Sequence, residues 1–190
     1  SLAELAETFS IDGISKAPSV FDYEKLAWFN GEYLRAKTPE EFTEIAMPYY
    51  QQVFGDTQVD WAVLTSILQP RVVRLTDIPG MIGFLKELPE YDKELFINKK
   101  SKANLDNAPV MLKAAIEALT ALTEWNVTAI HDCLIGLAQQ LEVKNGTLLW
   151  PVRIAAAGMQ VTPGGAMEIL AILGKEESLR RLELGLAKLS

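Results

Sequence analysis

Thr38-Pro39-Glu40-Glu41-Phe42-Thr43-Glu44-Ile45-Ala46 is written as the opening of an α-helix. The Thr38 hydroxyl is an N-cap acceptor, Pro39 has no N–H to leave unpaired in the first turn, and Glu41 stands where its carboxylate can reach back to the cap. Phe42, Ile45, Ala46 and Tyr49 then share one face at helical spacing. Pro48 removes a donor further along, so an interruption or kink is expected there.

The same signals recur in both directions. Upstream, Asp22 can cap a helix through Lys25, Leu26, Phe29 and Tyr33 to about Arg35, and Leu2, Leu5, Ala6 and Phe9 form a shorter apolar stripe. Downstream, a helix over Trp61 to Leu68 stops before Pro70, and Thr76 can start a short one carrying Met81, Ile82 and Leu85. Leu88 to Asn107 is charged and poor in periodic apolar residues, so a subdomain boundary is expected between Asn98 and Asn107, with Lys99, Lys100 and Lys102 in a solvated loop. Helices follow over Val110–Leu122, with Leu112, Ile116 and Leu119 inward, and over Val127–Leu141, capped by Asn126. Asn145-Gly146 reads as a turn, followed by an apolar helix over Thr147–Ala157. Thr162-Pro163 reads as cap and first-turn proline of a helix to Leu173, ended by Gly174, and Lys175 to Lys188 closes the chain. The expected fold is all-α, two packed helical bundles, divided into 1–36, 37–105 and 106–190.

Composition narrows the chemistry. With 190 residues, 49% of them hydrophobic, a core needs no disulfide or metal. A lone Cys133 fits a reducing compartment and reads as a small core residue. No apolar run approaches the roughly 18 residues of a membrane span, and no signal segment opens the chain. The expectation is a cytoplasmic protein, and a start at Ser1 inside an amphipathic pattern suggests a piece of a longer chain. His131 has no second histidine or cysteine to complete a metal or nucleophile–base site, because Cys133 lies two residues on and faces elsewhere on a helix. Gly164-Gly165 belongs to no phosphate loop. No catalytic residue and no metal ligand is therefore expected, and the residues point to a binding or scaffolding module. The net charge of −7 opposes nucleic-acid binding for the surface as a whole, but leaves room for one basic face.

Three ordered segments carry a resemblance. The first runs Gly13-Ile14-Ser15-Lys16-Ala17-Pro18-Ser19-Val20-Phe21-Asp22, then Lys25-Leu26-Ala27-Trp28-Phe29-Asn30-Gly31 and Tyr33-Leu34-Arg35. The second is Glu124-Trp125-Asn126 with Ile130-His131-Asp132. The third is Pro151-Val152-Arg153-Ile154-Ala155, then Thr162-Pro163-Gly164-Gly165-Ala166, Glu168-Ile169-Leu170 and Leu173-Gly174-Lys175-Glu176. Together they resemble the C-terminal portion of bacterial glutamyl-tRNA synthetases: the end of the stem-contact subdomain plus the anticodon-binding domain.

The resemblance implies a class I synthetase that joins glutamate to tRNA(Glu). It also implies that the ATP- and magnesium-dependent step belongs to an N-terminal Rossmann domain, since neither a HIGH-like nor a KMSKS-like motif occurs here. This portion would keep tRNA binding, with no cofactor, no DNA or membrane partner, and a monomeric state. By the same resemblance Arg71 reads the last anticodon base and Arg153 contacts the anticodon near its first bases, the two facing one concave surface. The start of the helix after Thr162, Pro163, Gly164 and Gly165 would approach a base or phosphate through small residues and free N–H groups. Gly165-Ala166-Met167 lacks the larger apolar residues of some family members, which favours hydrogen bonding over stacking there. Lys16, Lys25 and Asn30 match positions facing the tRNA backbone, and Trp28, Trp125 and Trp150 read as packing residues. Two other readings remain open: a helical protein-interaction scaffold with exposed apolar patches, and an enzyme with an unrecognised carboxylate site.

Overall fold

A computed structural model describes residues 2–11, 20 and 22–189. Among the described residues are ten α-helices: α1 (Leu2–Thr8), α2 (Tyr23–Arg35), α3 (Pro39–Phe54), α4 (Trp61–Leu68), α5 (Ile78–Lys86), α6 (Ala108–Ala121), α7 (Val127–Gln140), α8 (Asn145–Ala157), α9 (Ala166–Leu173) and α10 (Lys175–Leu189). No strand occurs among them, and pairing of β type is confined to an isolated bridge between Asn98 and Ala103. The chain is all-α, as its patterning requires. No described helix is long and apolar enough to cross a membrane.

The caps form where the side chains dictate. Asp22 accepts from the N–H groups of Glu24 and Lys25, and Asn126 accepts from Ala129. Thr38 and Glu41 make the reciprocal capping box, at 3.2 and 3.0 Å. Gly174, at φ +77°, ends α9 with its N–H on the Leu170 carbonyl.

Four local expectations need correction. Helix α3 runs unbroken through Pro48, because Pro48 and Glu44, whose carbonyl loses its donor, both lie on the exposed face where water can replace the lost bond. Asn145-Gly146 is no separate turn but the first turn of α8, where backbone N–H groups need no intrahelical partner. Thr76 does not cap α5; a 3₁₀ turn, Leu75–Asp77, leads into that helix instead. Trp28 is not core: it is 56% exposed and stands edge-on to Phe29 at 5.0 Å.

One continuous apolar cluster fills the interior. Helix α3 buries Phe42, Ala46 and Tyr50 against α4 and α5, and Tyr50 stacks on Trp61 at 5.7 Å. Helices α6, α8 and α10 pack on one another, and α9 joins both halves through α4. Helices α8 and α10 cross so closely that a Cβ on Gly185 would lie 2.6 Å from that of Ala155.

Arg181, 1% exposed, sits inside this packing. Its guanidinium donates to the carbonyls of Phe84, Ala156 and Leu85 at 2.7, 2.9 and 3.1 Å, and to the Glu177 carboxylate at 2.6 Å. Those carbonyls belong to the last turns of α5 and α8, which have no intrahelical donor and lie at the negative end of the helix dipole. Hydrogen bonds from Arg180 and then Arg181 pull the Glu177 carboxyl down to about 2, against the opposing effect of burial.

Candidate nucleic-acid interface

The chain after α4 is held from two sides. The Gln69 side-chain amide donates to the carbonyls of Leu34 and Lys37 at 3.1 and 2.8 Å, and the Asn30 amide donates to the Val73 carbonyl. Val72 is buried between them. Arg71 is thereby fixed at the end of α4 with its side chain exposed, one N–H on the Ile67 carbonyl at 3.0 Å. No carboxylate among the described residues pairs with it.

Arg153 is presented differently. Thr147, Trp150 and Arg153 recur every three residues along one face of α8. The Thr147 hydroxyl donates to the Ser101 carbonyl at 2.8 Å, and the Trp150 indole N–H donates to the Leu95 carbonyl at 2.9 Å. Arg153 lies over the Trp150 ring, 4.7 Å from its centroid, and donates to the Thr162 hydroxyl at 2.9 Å. Thr162 in turn donates to the Gly164 carbonyl at 2.7 Å, so one hydroxyl both accepts and donates. Burial lowers the Arg153 pKa, and no carboxylate among the described residues compensates it. A half-buried, stacked cation without an acidic partner is suited to meeting a planar acceptor edge or an anion from outside.

Loop 162–165 joins the supports of the two arginines. A Cβ on Gly164 would lie 3.2 Å from Ile67 side-chain carbons, and the Ile67 carbonyl is the acceptor of Arg71. Thr162, Pro163, Gly164 and Gly165 are thus brought beside Arg153 and against the α4 end that carries Arg71.

Two details differ from expectation. Helix α9 begins at Ala166, not at Pro163, because the Thr162 hydroxyl is committed to Gly164 and Arg153 instead of to a helical amide. The Gly165 N–H is not free, being taken by the Glu168 carboxylate at 2.9 Å. A groove of about 220 Å³ lies alongside, lined by Ser101, Trp150, Arg153, Gly165, Ala166 and Met167.

The remaining candidates are more scattered. Lys25 is exposed in the first turn of α2, and Asn30 spends its amide on Val73. Lys16 lies outside the described residues. Trp125, like Trp150, is half-buried, with its indole N–H on the Leu170 carbonyl at 2.9 Å. His131 is exposed beside Asp132, and no described group of three or more His, Cys, Asp or Glu side chains could hold a metal. Cys133 is half-buried against the core, and burial raises its pKa.

Sequence reasoning missed Arg181 and the role of Thr147. For Thr147 the signal was available as the every-third-residue spacing of Thr147, Trp150 and Arg153.

Residues 29–186 match the family model described as an anticodon binding domain. A glutamate–tRNA ligase of Clostridium kluyveri is 45% identical over 188 residues, covering 99% of this chain and 38% of that protein. One from Clostridium tetani is 44% identical over 189 residues, again covering 38% of the relative. The chain therefore spans less than two fifths of the length of these relatives. In solved structures, a glutamate tRNA ligase from Elizabethkingia meningosepticum in complex with its amino acid superposes with a TM-score of 0.80 at 23% identity, over 100% of this chain and 37% of that one. That likeness bears on the fold alone.

Proposed function

Since the chain belongs to the anticodon binding domain family, we propose that it binds tRNA(Glu) and reads the anticodon as the C-terminal part of a glutamate–tRNA ligase. On this reading the ligation of glutamate, with its ATP and magnesium, is performed elsewhere in the longer protein. This portion is a cytoplasmic, monomeric recognition module without catalytic residues or cofactor.

The observation that carries the reading is the pair Arg71 and Arg153. Each is anchored through one guanidinium nitrogen to a fixed protein oxygen, and neither faces a carboxylate partner among the described residues. Anticodon bases are single-stranded and can be splayed out, so their edges are open to such planar donors. A fixed guanidinium discriminates because a wrong base leaves its donors unpaired and desolvated. Arg71 is assigned to the last anticodon base and Arg153 to the first bases. Thr162 holds Arg153, and Pro163, Gly164 and Gly165 are assigned with it to the anticodon contact. Lys16, Lys25 and Asn30 are assigned to the tRNA backbone, and they position it without reading sequence.

The test is a titration of the chain with tRNA(Glu) transcripts varied in the anticodon. Arg71→Ala and Arg153→Ala should each narrow the gap between cognate and altered anticodons while leaving the circular-dichroism melt unchanged. Undiminished discrimination in both variants refutes the assignment.

A second reading draws on α2, where Tyr23, Leu26, Trp28, Phe29 and Tyr33 are all exposed. A helical protein-interaction surface of that kind predicts tRNA binding that is absent or indifferent to the anticodon.

A further inference from the structure

The loop Lys99-Lys100-Ser101-Lys102 looks from sequence like an ordinary solvated connection, yet it is tightly built. The Asn98 side chain accepts from the Ser101 N–H at 2.8 Å, and Asn98 and Ala103 exchange backbone bonds at 2.9 and 3.1 Å. The Asn107 amide donates to the Lys102 carbonyl at 2.8 Å, and Lys102 is held at φ +55°, a left-handed conformation that lysine rarely adopts.

Helix α8 grips the same segment through the face that presents Arg153. Thr147 holds the Ser101 carbonyl, and Trp150 holds that of Leu95 just upstream. The helix approaches so closely that a Cβ on Gly146 would lie 3.3 Å from the Ser101 hydroxyl. Ser101 consequently lines the Arg153 groove, and the three lysines are its near neighbours along the chain.

All three are exposed, and none pairs with a carboxylate among the described residues. In a chain of net charge −7, three unpaired lysines on a fixed loop form a local exception. Their place on a loop that reaches the Arg153 groove through Ser101 argues for one polyanion spanning both.

We propose that Lys99, Lys100 and Lys102 contact the phosphates of the nucleotides whose bases meet Arg153. The inference rests on the anticodon reading above and adds a backbone site to it. Lysine ammonium groups act as point charges, so they set affinity and salt dependence, while discrimination stays with the arginines. For a single strand, each phosphate neutralised contributes about 0.7 to the slope of log Kd against log salt. Near 0.15 M salt that is roughly fourfold in affinity per contact, and roughly fiftyfold for three.

The experiment combines Lys99→Gln, Lys100→Gln and Lys102→Asn, the last because asparagine tolerates a positive φ. The chain is titrated with fluorescent tRNA(Glu) transcripts, cognate and anticodon-altered, over a series of sodium chloride concentrations. The expected result is a slope shallower by up to about 2, with equal proportional losses for every anticodon and an unchanged melt. An unchanged slope and Kd, or a loss confined to the cognate transcript, overturns the proposal. If that happens while Arg153→Ala still erodes discrimination, the anticodon reading stands without the lysine site. If Arg153→Ala and Arg71→Ala are also silent, both readings fall together.

Discussion

Arg153→Lys separates a planar reader from a point charge. The substitution keeps one positive charge on a stem of similar reach. It removes the flat group lying 4.7 Å over Trp150 and the fork that puts one N–H on Thr162, its other N–H groups having no partner among the described residues. Two losses follow. A bidentate arginine–base pair is worth about 1–3 kcal/mol of discrimination, a scale taken from DNA. The stack on a half-buried indole adds about 0.5–1 kcal/mol to holding the group in place. At about 1.4 kcal/mol per tenfold, the base-pair loss by itself lowers discrimination at the first anticodon bases roughly 5- to 150-fold. The salt slope should not move, because the charge is retained. Fluorescence anisotropy with transcripts altered at those bases, in parallel with a salt series, measures both quantities. If lysine preserves discrimination within about twofold, the orientation imposed by Trp150 and Thr162 is irrelevant and Arg153 works as a simple counter-charge.

The core offers two further tests. Tyr91 has a buried hydroxyl with no hydrogen-bond partner among the described residues, and burial pushes its pKa up to about 12. Tyr91→Phe removes an unsatisfied group, keeps the ring under Lys188, and should leave stability unchanged or raised by about 1 kcal/mol in a calorimetric melt; a loss of that size refutes it. The Glu177 carboxyl, held down to about 2 from an ordinary 4.5, favours the folded state fully above the ordinary value, and that contribution is lost as pH falls toward 2. Glu177→Gln should therefore lower the melting temperature at pH 7 and flatten its decline between pH 4.5 and 2; parallel acid profiles for the two proteins would contradict this.

The helices were legible because their ends are written in single residues. Asp22, Thr38, Asn126 and Gly174 each act through hydrogen bonds or a backbone angle within a few residues of themselves, and the sequence names them directly. The misreadings share the opposite property. Whether Pro48 breaks a helix depends on which side faces water. Whether Thr162 caps a helix depends on a guanidinium nine residues earlier in the chain. Gly146 lies inside the first turn of α8 and passes close to Ser101, a contact across about 45 residues of chain that no local pattern reports. In the site, arginine identity and the every-third-residue spacing on α8 were readable. The meeting of loop 162–165 with Ile67, and of the lysine loop with the Arg153 groove, is tertiary and became visible only on folding.

Arg181 bears on how far this chain can be treated as interchangeable parts. Two of its carbonyl acceptors, on Phe84 and Leu85, precede the 98–107 segment, while the third, on Ala156, and Glu177 follow it. Expressing the second half alone would take away two of the four acceptors of a guanidinium that is buried in the whole fold. A relative could lend its whole module across a species boundary more safely than it could lend half of one.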